Sequence, residues 1–214
     1  MRDSWLVEFW SKVFGGLGKL SVFTILRAIF KTKVTYGFVE GYVLFHTSLA
    51  LVTFIIATWN VEKPVSWLLI ALVFYGALRV FETVIYQTNV LLFDEYRAFK
   101  AGVDYKVRSF RRLVILLLHN YFEMLCWFGV FYTFFYRSGD VVLTSGELGF
   151  FTIFRESLLM MISFTPETNQ PTSPLGMVVL TVHSFVGIFM TIMVLARFLA
   201  LLPPPDSHDE MDKH

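Results

Sequence analysis

The amino-acid sequence predicts an all-α, polytopic membrane protein with four transmembrane helices and one shorter re-entrant helix. Two observations carry that prediction. Of 214 residues, 56% are hydrophobic and only 16% charged, which exceeds the apolar share of ordinary soluble domains. The apolar residues also fall into blocks of roughly 20, the length a helix needs to cross about 30 Å of hydrocarbon.

The N-terminal region, residues 1–35, reads as an interfacial helical segment. Trp5, Leu6, Phe9, Trp10, Val13, Phe14 and Leu17 recur at helical spacing on one stripe, and Gly15, Gly16 and Gly18 then interrupt it. A second apolar piece from Leu20 to Phe30 is flanked by Lys19, Arg27, Lys31 and Lys33, which suits a helix lying in the membrane interface. Glu8, Lys12 and the glycines, with no small-residue cleavage site, argue against a secretory signal.

Residues 36–93 form a two-helix hairpin. The first span runs from Gly37 to Trp59, Asn60 to Pro64 make the turn, and the second span starts near Val65 and continues past Tyr86. Residues 94–112 are a polar, basic linker. A third span covers Leu113 to Tyr136, and Arg137 to Leu148 reads as an exposed loop. The apolar piece from Gly149 to Ile162 is too short to cross and suits a re-entrant helix. After the polar stretch Thr165 to Pro174, a last span from Leu175 to Leu202 is stopped by Pro203, Pro204 and Pro205, leaving 204–214 as a tail.

Net charge is only +1, so no global field points to nucleic acid, and orientation rests on where Lys and Arg sit. Six precede the first span and six lie between Asp94 and Arg112, against Lys63 in the first short loop and Arg137 and Arg155 after the third span. The positive-inside bias therefore places both termini and the linker in the cytoplasm of a cell-membrane protein. The single cysteine, Cys126, excludes an intrachain disulfide. No phosphate-cradling glycine loop, metal-ligand cluster or nucleophile paired with a base is present, so neither an enzyme nor a cofactor is expected.

Three stretches resemble the two-helix pore unit of the potassium channel superfamily, in its small bacterial-type members. They are Arg111 to Glu123 for the outer helix, Phe154-Arg155-Glu156-Ser157-Leu158-Leu159 for the pore helix, and Pro171 to Gly176 with Val186-Gly187-Ile188-Phe189 and Leu195 to Leu199 for the inner helix. The resemblance covers Arg111 to Leu202 and implies a pore domain over 113–203, assembled as a homotetramer that conducts an ion passively. Counted back from Pro171, the family's filter falls on Ser163, Phe164, Thr165, Pro166, Glu167 and Thr168, and both filter glycines are missing. A carbonyl-lined filter needs the backbone freedom of glycine, and Pro166 also lacks an N–H. The expectation is therefore a cation pore without potassium selectivity. Four copies of Glu167 would form an acidic ring; otherwise Glu167 faces outer water or caps a turn. A non-conducting, channel-like scaffold or regulatory subunit is the alternative function.

His183, Gly187, Thr191 and Leu195 are spaced by four on the last span, and that face is expected to line and gate the pore. Glu40, His46, Arg79 and Glu82 lie in the first two spans, where ionisable groups need a partner. Arg79 and Glu82, three apart, are expected to pair, as are His119 and Glu123, four apart. A voltage sensor would want arginines at every third position, and here there is one. The expected partners are a permeant cation, the lipid bilayer and further copies of the chain.

Overall fold

The computed structural model describes residues 4–23, 35–59, 64–105, 109–144 and 148–199. The second apolar piece beyond Phe23, the turn residues Asn60 to Lys63, the linker residues Lys106 and Arg108, and the Pro203 to Pro205 stop with its tail lie outside the described residues.

The chain is all-α, with four helices long and apolar enough to cross a membrane: Gly37–Trp59, Trp67–Lys100, Arg111–Ser138 and Pro174–Leu199. Helix α1 (Trp5–Leu17) runs straight through Gly15 and Gly16, where an interruption is expected from the glycines, and ends in a 3-10 turn at Gly18–Leu20. Helix α2 (Tyr36–Trp59) is the first span. Helix α3 (Trp67–Thr88) starts where the Ser66 hydroxyl accepts the Leu69 N–H at 3.2 Å, an N-cap. It passes without a break through a π-helical turn, Asn89–Phe93, into α4 (Asp94–Lys100). Helix thus extends into the polar stretch that begins at Asp94, because the π turn absorbs an extra residue without ending the helical ladder.

Helix α5 (Phe110–Ser138) is the axis of the fold. Ser109 caps its start, accepting the Arg112 N–H at 3.3 Å, and Gly139, at φ 83°, ends it in the left-handed conformation. Its middle holds the core: Leu117, Met124, Trp127, Phe128 and Tyr132 are almost completely buried against Phe54 of α2 and residues of the later helices. Close approach depends on small residues. A Cβ on Gly129 would lie 2.6 Å from the Phe54 ring, and one on Gly76 of α3 would lie 2.5 Å from the Trp127 ring.

Past α5 the expected exposed loop contains β1 (Val141–Leu143), which pairs antiparallel with β2 (Asn169–Pro171), Val141 opposite Pro171 and Leu143 opposite Asn169. Between them sits α6 (Phe150–Met161), 12 residues long and about 18 Å in length, too short to cross. Helix α7 (Pro174–Leu199) follows β2 and packs on α5 and α6.

Candidate functional site

The strand pair closes a loop whose C-terminal end is fixed by side chains of α6. Glu156, fully buried, accepts the backbone N–H groups of Thr168 at 3.0 Å and Asn169 at 3.2 Å. Its other oxygen meets Arg155, which reaches forward to Glu167 at 2.6 Å. The Ser157 hydroxyl donates to the Leu125 carbonyl at 2.9 Å and so fastens α6 to α5. Beside this loop, the Asp140 carboxylate accepts from Ser173 at 2.6 Å, and the Ser173 oxygen in turn accepts the Gly176 N–H at 3.1 Å, capping α7. The Ser138 and Ser173 hydroxyls hold the Asp140 carboxyl below its usual range.

Ser163, the first residue at the expected filter position, has φ 66°. Its N–H donates to the Met160 carbonyl at 3.1 Å and the Phe164 N–H donates to the Leu159 carbonyl at 2.8 Å. That pair of bonds around a left-handed residue is a Schellman cap. The residue therefore ends α6 instead of opening an extended run of axial carbonyls. Glycine would take the same conformation without a Cβ clash, so Ser163→Gly should raise stability by about 1 kcal/mol; an unchanged or lower melting temperature in detergent would contradict the cap. Beyond it, Phe164 is 62% and Glu167 61% exposed; Thr165 is exposed, and Pro166 and Thr168 are half-buried. Glu167 is not an isolated acid, since its hydrogen bond to Arg155 also holds that guanidinium's pKa above the ordinary arginine value.

The face of α7 expected to line a pore packs inward within one chain. His183 is completely buried, its Nδ1 2.7 Å from the Tyr132 hydroxyl and its ring stacked on Phe128 at 3.7 Å. A Cβ on Gly187 would come within 2.8 Å of the Met160 and Met161 carbonyl oxygens. The Thr191 hydroxyl donates to the Met161 carbonyl at 3.0 Å. Of the four, Leu195 alone is exposed, together with Phe185, Ile188 and Ile192. Three of the four residues spaced by four, His183, Gly187 and Thr191, thus pack against α5 and α6, while Leu195 does not.

No family model matches the chain. No curated protein and no solved structure matches it either.

Its second polar centre lies among the spans. Arg79 donates from Nε to Glu123 at 2.9 Å and from a terminal nitrogen at 3.0 Å to the other oxygen of the same carboxylate. Its remaining terminal nitrogen meets Glu82 and the Tyr42 hydroxyl, the latter at 2.8 Å. The expected Arg79–Glu82 pair is present. The expected His119–Glu123 pair is not: the His119 Nδ1 lies 2.8 Å from the Ile115 carbonyl, and Glu123 is taken by Arg79 and by the Trp127 indole N–H at 3.2 Å. Glu82 also accepts the Phe23 N–H at 2.8 Å and the Ser21 hydroxyl, so the cluster ties α2, α3, α5 and the N-terminal segment together. The other ionisable groups of the first two spans also find partners: Glu40 with Arg112 at 2.7 Å and His46 Nδ1 with the Tyr75 hydroxyl at 2.8 Å.

Proposed function

We propose that four copies of this chain surround a central axis and conduct cations passively, with Ser163 to Thr168 forming the constriction. The observation that carries this is the placement of α6. It is a helix too short to cross, wedged between α5 and α7, and it ends in an exposed polar segment held from behind by Glu156. Non-helical backbone at membrane depth is tolerated where it lines a water-filled cavity, and a shared axis supplies one. The similarity of Arg111 to Leu202 to the potassium channel pore unit points the same way, as does the positive-inside bias, which puts this segment outside and both termini in the cytoplasm. Helices α2 and α3 form the periphery.

Selectivity in this pore comes from side chains. Fourfold assembly brings together four Arg155–Glu167 pairs, a ring with no net charge. Glu167→Gln leaves each Arg155 with only the buried Glu156 as its partner, removes the ring's exposed acids and should lower cation flux several-fold, whereas Arg155→Gln should raise it. Purified protein in liposomes, with potassium and sodium flux recorded over a range of voltage and pH, measures both. Equal flux from the two variants would remove the side-chain ring.

One observation favours the scaffold function instead. The free face of α7, through Phe185, Ile188, Ile192 and Leu195, is apolar, a surface suited to lipid or to another protein chain. A well-folded tetramer that passes no ion under any of those conditions would establish the scaffold, and a monomer without fourfold symmetry in single-particle images would exclude the channel.

A further inference from the structure

A cavity of about 350 Å³ lies between α2, α3 and α5, beside the 3-10 turn after α1, within the size range of small-molecule sites, about 300–1,000 Å³. Its walls are largely apolar, with Val39, Val43, Ile85, Leu113 and Leu116 among them. Three side-chain amides interrupt them, of which Asn89 is taken by Arg97 and by the Phe14 and Ile85 carbonyls. Gln87 and Asn120 line the cavity at 6% and 5% exposure, and among the described residues neither makes a side-chain hydrogen bond. Both side chains open onto the cavity and are not among the occluded, unpartnered polar atoms of the described residues, so their hydrogen-bonding capacity is available to a ligand there.

Charge selects the class of ligand. Arg197 of α7 lines the same cavity, and its one hydrogen bond among the described residues goes to the Val90 carbonyl of the π turn at 3.3 Å. A guanidinium has five N–H donors, most of which this bond does not use. The other arginines nearby are committed: Arg112 to Glu40, Arg79 to Glu82 and Glu123, and Arg97 to Asp94, Ser11 and Asn89. Among the described residues the one carboxylate lining the cavity, Glu82, accepts from Arg79, Tyr42, Ser21 and the Phe23 amide. Among the described arginines lining the cavity, Arg197 thus keeps most of its donors for an anion, although Asp94 lies close enough to interact with it electrostatically. The cavity also lies at the end of the bundle next to the basic linker, where a cytoplasmic leaflet presents anionic lipid.

We propose that this cavity binds an acyl chain along its apolar walls, with an anionic head group held by Arg197 and the side-chain amides of Gln87 and Asn120. The site does not depend on whether the assembled protein conducts. Its chemistry fits a phospholipid or a free fatty acid.

Native mass spectrometry of the delipidated full chain in detergent, titrated separately with dioleoylphosphatidylglycerol, dioleoylphosphatidylcholine and oleate, tests it. One anionic ligand per chain should bind at least about tenfold tighter than phosphatidylcholine. Arg197→Gln should erase that preference. Leu116→Trp should fill the cavity and abolish binding, and Gln87→Leu with Asn120→Leu should weaken binding about tenfold. Saturation by oleate alone assigns a fatty acid, and by phosphatidylglycerol alone a phospholipid; either upholds the site. Absence of binding, equal affinity for phosphatidylcholine, or binding that survives Leu116→Trp in a variant with unchanged circular dichroism would overturn it. Should Leu116→Trp fail to fold, the ratio of phosphatidylglycerol to phosphatidylcholine binding in Arg197→Gln decides, and an unchanged ratio overturns the site.

Discussion

Arg79→Leu should destabilise the protein by about 3–5 kcal/mol, the cost of stranding buried carboxylates after their cation is removed. Arg79 is 3% exposed and is the only cation in contact with Glu82 and Glu123 among the described residues, and Glu123 is buried still more deeply. Removing the guanidinium also leaves the Tyr42 hydroxyl facing an uncompensated charge. In a chain of this size the loss corresponds to a fall of roughly 10 °C in melting temperature. The melting temperature of the detergent-solubilised protein measures it. Replacing Glu82 and Glu123 by leucine together with Arg79 should recover much of the loss, because an apolar cluster of similar volume carries no desolvation cost. A single Arg79→Leu variant as stable as the parent would mean that the network holds nothing together.

Gly187→Val is expected to have the second large effect, and on a different part of the molecule. The added Cβ would meet two carbonyl oxygens at the C-terminal end of α6. These are backbone atoms, so the clash cannot be relieved by a rotamer change and α6 must move away from α7. Overpacking of this kind costs about 1–3 kcal/mol. The displacement also breaks the Thr191 bond to Met161 and shifts Glu156 and Arg155, the two residues that hold the loop from Thr165 to Thr168. Any flux carried by the assembled protein should therefore fall further than stability alone explains. Gly41→Ala supplies the control, since a Cβ there meets nothing within 4 Å. Equal stability of Gly187→Val and Gly41→Ala would show that α6 is free to adjust.

Much of the architecture was legible before any coordinates. Span lengths follow from hydropathy, and each of the four apolar blocks became a helix of the expected kind because the hydrocarbon thickness sets the length. The short block from Gly149 to Ile162 was recognised for the same reason, in the negative. The strands Val141–Leu143 and Asn169–Pro171 were not, because three residues carry no measurable alternation and their pairing spans a helix. The left-handed conformation of Ser163 was hidden as well: a glycine there would have announced a helix cap, and a serine does not.

The site residues divide along the same line. Arg79–Glu82 is a contact within one helix, and helical periodicity alone predicts it. Periodicity offered His119 to Glu123 with equal force, yet Glu123 turns to Arg79 because α3 crosses α5 at that level, bringing a guanidinium that bonds both carboxylate oxygens. Gln87 and Asn120 gave no signal at all, since an amide in an apolar helix reads as a chance polar residue until the cavity around it is seen. The sequence by itself determined the class, the number of helices long enough to span and the short helix between the last two of them, all properties of local composition and length. Which face of α7 is covered, which carboxylate Arg79 takes and where the cavity opens were decided by the tertiary structure alone, because each depends on how distant helices meet and which polar groups compete there.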